Sequence, residues 1–216
     1  MELKGLTIAC LGDSITQGVG ATSNEKIWHQ VLKENCGIKE CINYGISGTR
    51  FARQSIPSEC PSFDQDFISR VNSMRDDVDA VLVFGGTNDY GHGDAPFGEF
   101  SDRGEDTFSG ACHVLMQKLI KKYPDKPIVF MTPLHRTDDD KPSERTQKSQ
   151  ILKDFVDVIK QTAQYYSIPI IDLYGASGMC SAVEVQNKLY FADGLHPNDV
   201  GHAKLASVVE SFLKNM

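Results

Sequence analysis

The chain alternates short, unbroken apolar runs with longer stretches in which apolar residues recur every three or four positions. Residues 6–11 (LTIACL) form the first run, and Gly12-Asp13-Ser14 stops it as a turn would. Residues 40–44, 79–84 (DAVLVF), 127–132 (PIVFMT) and 168–173 (IPIIDL) read as four further strands. Between them lie helical patterns. Residues 27–34 carry Ile27, Val31 and Leu32, and residues 63–74 place Phe63, Phe67, Ile68 and Val71 on one face. Residues 107–123 and 144–166 follow, and residues 198–213 close the chain with Asp199 near the helix N-terminus.

Strands separated by crossover helices predict βαβ units and a parallel sheet. Strands that are apolar throughout predict helices on both faces of that sheet. No internal repeat or low-complexity tract breaks the pattern. The long irregular polar stretches, 85–106 and 135–143, both follow strand ends, where loops of such length often carry function. Ligands of open α/β sheets lie outside the carboxyl ends of the strands. The residues after each strand are therefore read together: Gly12-Asp13-Ser14, Gly45-Ile46-Ser47-Gly48, Gly86-Thr87-Asn88-Asp89, Thr132-Pro133-Leu134-His135, and Asp193-Gly194-Leu195-His196 before the last helix.

Composition narrows the classes. With 216 residues, 40% hydrophobic and 24% charged, the chain can build one globular domain, 1–216, with its own core. A net charge of −7, without a basic stripe, excludes a phosphate-backbone partner and weighs against an anionic membrane surface. No apolar stretch approaches the roughly 20 residues of a membrane helix, and the N-terminus lacks the features of a signal peptide. Six cysteines without a C-x-x-C pair or zinc-finger spacing suggest free thiols in a reducing compartment, so a cytoplasmic protein is expected. Oligomeric state stays open, a homo-oligomer included.

Four of the strand-end segments carry groups suited to acyl transfer, which needs a nucleophile, a base, a group to orient the base, and oxyanion donors. Ser14 can attack from a tight strand-to-helix turn. His196 can serve as base, because an imidazole titrates near neutrality. Asp193, three positions earlier, can hold the imidazole across a turn. The backbone N–H groups of Ser14 and Gly48 and the Asn88 amide can receive the oxyanion. Ser47 is a rival nucleophile in Gly45-Ile46-Ser47-Gly48-Thr49, although Thr49 replaces the final glycine of an elbow motif. His92 and His135, after strand ends, are candidate substrate contacts. His29, His113 and His202 lie on helices and read as structural or solvated. Trp28 reads as packing, and the acids at 138–140 as a solvated loop.

GDSITQG (12–18), NYGISG (43–48), GTND (86–89) and DGLHP (193–197) resemble, in order, the four blocks of the SGNH, or GDSL-type, hydrolases. The likeness runs from residue 12 to residue 197, with Ile15 where the first block is named for Leu. It implies a three-layer α/β/α sandwich, flavodoxin-like, around a five-stranded parallel sheet. It also implies metal-free, cofactor-free ester hydrolysis, with the family's named residues falling on Ser14, Gly48, Asn88 and His196, and its Asp on Asp193. The expected partner is a small-molecule ester with a short acyl group, such as an O-acetylated sugar. Lysophospholipids and acyl-CoA thioesters are the alternatives within the family. A reading from another class is a flavodoxin-like protein whose first loop cradles phosphate or FMN, but it leaves the 193–196 loop without a role.

Overall fold

A computed structural model describes every residue except Gln147. Five strands, β1 (Thr7–Gly12), β2 (Glu40–Gly45), β3 (Ala80–Phe84), β4 (Ile128–Met131) and β5 (Ile170–Ile171), form one sheet in the order β2-β1-β3-β4-β5. Every pairing is parallel. The helices are α1 (Ser14–Gln17), α2 (Trp28–Cys36), α3 (Phe67–Arg70), α4 (Thr87–Gly91), α5 (Phe108–Lys122), α6 (Leu152–Tyr165), α7 (Leu173–Ala176), α8 (Glu184–Tyr190) and α9 (Asp199–Lys214).

Alternation along the strands divides the core in two. Ile8, Cys10, Leu82 and Val129 point to one face and pack with Trp28 and Leu32 of α2 and Leu205 and Val209 of α9. Ala9, Leu11, Val81, Val83 and Phe130 point to the other and pack with α3, α5 and α6. An aromatic group anchors that second layer: the Phe51 ring centroid lies 4.9 Å from Phe67, and Phe108 lies 4.7 Å from Phe155. Burying each such ring fully contributes about 1.5–3 kcal/mol.

Strand order reverses between β1 and β3, because the chain leaves β1 toward β2 on one side and returns to β3 on the other. A crevice opens at such a point. Register places the site there: Gly12 is level with Gly45 of β2 and with Phe84 of β3. Ser14, Gly48 and Asn88, each two to four residues further on, therefore emerge together at one edge of the sheet.

Three predicted elements differ. The helix expected over 63–74 is a 3-10 turn at Pro61–Asp64, then α3, then a second 3-10 turn at Val71–Ser73. Asp66 imposes the break: its carboxylate accepts the Ser69 N–H at 2.7 Å and starts α3 afresh. The helix expected over 144–166 begins only at Leu152, where Asp154 accepts the Ile151 N–H at 2.9 Å; residue 147 of that prediction lies outside the described residues. Lys148 is drawn away by bonds to the carbonyls of Asp89 and Gly93, at 3.0 and 2.7 Å. The last strand shortens to Ile170–Ile171 because Asp172 caps α7 through the Gly175 N–H. Among the described residues, no helix is long and apolar enough to cross a membrane.

Candidate active site

Ser14 opens α1 directly after β1, and Asp13 caps the helix by accepting the Ile15 N–H at 3.0 Å. His196 sits on a loop closed upon itself: the Ala192 N–H donates to the His196 carbonyl at 2.8 Å, and Phe191 pairs antiparallel with Pro197. Within this loop one carboxylate does three jobs. Asp193 Oδ1 accepts the N–H groups of Leu195 and His196, at 3.0 and 2.8 Å, and Oδ2 accepts the imidazole Nδ1–H at 2.7 Å. That bond fixes the tautomer. Nε2 is left with a lone pair, and Ser14 Oγ donates to it at 2.9 Å. Partial burial opposes the Asp193 charge, but the His196 and Leu195 N–H groups and the imidazole outweigh it and hold the carboxyl below its ordinary pKa.

Two donors face the same space. Gly48 has φ +74°, and a Cβ there would lie 2.4 Å from the Phe63 ring, so the close turn excludes any side chain. Asn88 spends one amide N–H on the Thr49 carbonyl at 3.0 Å, which leaves the second. Its Oδ1 accepts the His92 Nε2–H at 3.2 Å, and His92 Nδ1 accepts from Arg50 at 3.2 Å. Arg50 is itself fixed by Asp64 at 2.9 Å. Burial first, and then the nearby Arg50, Arg145 and Arg136, push His92 down to about 4, so it stays neutral and keeps Asn88 oriented.

Asp89, next to Asn88, accepts the N–H groups of Phe51 and Ala52, both at 3.0 Å, and thereby ties α4 to the segment following Gly48. Burial raises Asp13 and Asp89 to about 6 each, against their backbone hydrogen bonds. A cavity of about 830 Å³ opens on Ser14, Gly48, Asn88 and His196, with Phe63, Leu195, Arg136 and Arg145 among its walls.

The structure places the other candidate residues outside the Asp193–His196–Ser14 relay. Ser47 also lines the cavity, but its hydroxyl donates to Gln17 Oε1 at 2.6 Å rather than to a histidine. His135 does not line the cavity: it bonds to Asp139 at 2.8 Å and its ring lies 3.8 Å from that of Tyr174. His92 does line it, but both ring nitrogens are committed to Arg50 and Asn88. Asp139 is buried rather than solvated and also accepts the Arg136 N–H at 3.1 Å. His29, His113, His202 and Trp28 are buried among the packed elements. All six cysteines are free. Arg50, Arg136 and Arg145 were not singled out in the sequence; the signal was a basic residue directly after His135 in a long strand-end loop.

The parallel sheet and the groups gathered at its switch point are those of a carboxylic ester hydrolase. The chain belongs to the GDSL-like Lipase/Acylhydrolase family, whose model matches residues 10–204. A solved protein from Lactobacillus plantarum is 31% identical over 98% of both chains, with a TM-score of 0.85. A lipase/acylhydrolase from Enterococcus faecalis is 20% identical over 97% of this chain and 96% of its own, with a TM-score of 0.66. A member of the lipolytic protein G-D-S-L family from Veillonella parvula is 18% identical over 97% and 99%, with a TM-score of 0.63. The last two likenesses speak to the fold. No curated protein matches the chain.

Proposed function

We propose that the protein is a serine esterase that removes a short acyl group, O-acetyl on a carbohydrate or similar small molecule, through an acyl-enzyme. The observation that carries this reading is the unbroken chain from Asp193 to His196 to Ser14 at the mouth of a cavity. His196 Nε2 takes the hydroxyl proton as Ser14 Oγ attacks the acyl carbon. The oxyanion forms against the N–H groups of Ser14 and Gly48 and the free N–H of Asn88. The imidazolium, stabilised by Asp193, then protonates the leaving alcohol. Water repeats the cycle with His196 as base and releases the acid. Each proton moves through groups of this chain, so the reaction needs no cofactor.

The walls combine arginines with Phe63 and Leu195, which supports a small, polar substrate. Six free thiols favour a cytoplasmic setting. The flavodoxin-like nucleotide-binding alternative falls away, because the 193–196 loop is engaged with Ser14. The test is hydrolysis of p-nitrophenyl acetate, butyrate and octanoate by wild type and Ser14→Ala. Turnover that declines with chain length in wild type and vanishes in a folded Ser14→Ala is expected. A folded Ser14→Ala that retains turnover overturns the assignment, and preference for octanoate overturns the short-acyl reading.

A further inference from the structure

The cavity carries three arginines in its walls, Arg50, Arg136 and Arg145, in an otherwise acidic protein whose net charge is −7. Arg136 and Arg145 line the cavity at Ser14 and also an adjoining one of about 390 Å³. Arg136 is held as a fixed donor. Its Nη1 donates to the Thr87 carbonyl at 3.3 Å, and the guanidinium carbon stands 5.4 Å from the centre of the Tyr90 ring. It lies so close over Gly91 that a Cβ there would meet Nη1 at 2.7 Å. On the other side, the Thr137 N–H donates to the Gly194 carbonyl at 2.9 Å, which fastens the same loop to the Asp193–His196 turn. Arg136 is thus placed between the element that carries Asn88 and the loop that carries His196.

No carboxylate lies within 4.0 Å of the guanidinium nitrogens of Arg136 or Arg145 among the described residues. The nearby acids are engaged or peripheral. Asp193 and Asp139 bond to His196 and His135, Asp138 pairs with Lys141, and Glu59 and Glu144 are exposed at the cavity edges. Partial burial pulls the Arg136 pKa down and the Arg145 charge adds to that, while Tyr90, Asp139 and Asp193 push the other way. A planar guanidinium with free N–H groups matches a carboxylate or phosphate in fork geometry.

We propose that Arg136, assisted by Arg145, forms an anion subsite beside the nucleophile, and that the ester cleaved there carries a carboxylate or phosphate group. The inference rests on the esterase reading for its substrate, though the subsite itself does not need turnover. An anionic sugar acid ester and a phosphorylated ester share the recognised chemistry, and the choice of substrates separates them.

The experiment compares phenyl acetate, 4-acetoxybenzoate and 4-acetoxyphenyl phosphate, each rate divided by the alkaline hydrolysis rate of the same ester. Wild type, Arg136→Gln, Arg136→Lys and Arg145→Gln are assayed, and calorimetry follows succinate and inorganic phosphate binding to Ser14→Ala and to Ser14→Ala with Arg136→Gln. A normalised kcat/KM at least about tenfold higher for one charged ester is expected, mostly through KM. Arg136→Gln should bring charged and neutral esters within about twofold of each other, and Arg136→Lys should restore part of the preference. Equal values for all three esters in wild type, with no anion binding to Ser14→Ala, overturn the subsite and leave the esterase reading standing. Arginine-dependent anion binding with no ester turned over supports the subsite and overturns the esterase reading. Arg145→Gln, a change at an exposed position, keeps the test decisive if the Arg136 variants fail to fold.

Discussion

Asp193→Asn should abolish most turnover while leaving the fold intact, and the geometry of the 193–196 loop says why. The carboxylate makes two backbone bonds through Oδ1 and one imidazole bond through Oδ2. An asparagine can orient its amide in two ways. Keeping its carbonyl on the Leu195 and His196 N–H groups preserves two bonds, worth about 0.5–1.5 kcal/mol each, and turns its NH2 toward Nδ1. The reverse sacrifices both and sets donor against donor, so the first arrangement wins. The imidazole then answers by moving its proton to Nε2, which becomes a donor and can no longer accept from Ser14. By this tautomer argument kcat should fall about 10⁴-fold with little change in KM. The Asp193 side chain is 54% exposed, so Tm should barely move. Steady-state kinetics on p-nitrophenyl acetate, with thermal melts of both proteins, measure both quantities. A well-folded Asp193→Asn within tenfold of wild-type kcat would refute the reasoning.

Three other outcomes are expected. Asn88→Ala removes an oxyanion donor and should lower kcat by about 10²–10³, and an unchanged kcat excludes that role. Gly48→Ala forces φ +74° on a residue with a Cβ and drives it against Phe63, which should cost about 1–2 kcal/mol in the backbone alone and show as a lower denaturation midpoint. Burial pulls the His29 pKa down to about 4, from about 6.5 unfolded. The unfolded chain therefore binds the extra proton between these values, and stability falls as pH drops from 6.5 toward 4, by about 3 kcal/mol for this group. Asp13 and Asp89, raised to about 6, act in the opposite sense below that pH. Comparing urea midpoints of wild type and His29→Gln at pH 7 and pH 4.5 isolates the histidine, and an identical pH dependence in both would count against its buried neutral form.

The parallel sheet was legible because β1, β3 and β4 are apolar on both faces, and the candidate site because its groups follow strand ends. The 193–196 turn could be anticipated from spacing alone, since a carboxylate three residues before a histidine reaches it across one turn. Short helices escaped notice where the residues that form them look like loops. α4 carries Gly, Asn and Asp positions, and its place depends on Asp89 reaching Phe51 and Ala52, nearly forty positions away. The apolar spacing over 63–74 suggested one helix, but Phe63 belongs to the cavity wall and only Phe67 onward to the core. Periodicity reports that a residue is buried and not what buries it. The tie from Arg50 through His92 to Asn88 lies beyond such patterns, because three partners from separate segments meet only in the folded chain.

The central claim is that Ser14 carries the acyl group. Intact mass spectrometry after treatment with a fluorophosphonate, followed by peptide mapping, tests it most directly. The account predicts one adduct per chain, on Ser14, lost in Ser14→Ala and in urea-unfolded protein and retained in Ser47→Ala. An adduct on Ser47, or an esterase that stays active and unlabelled, would contradict it.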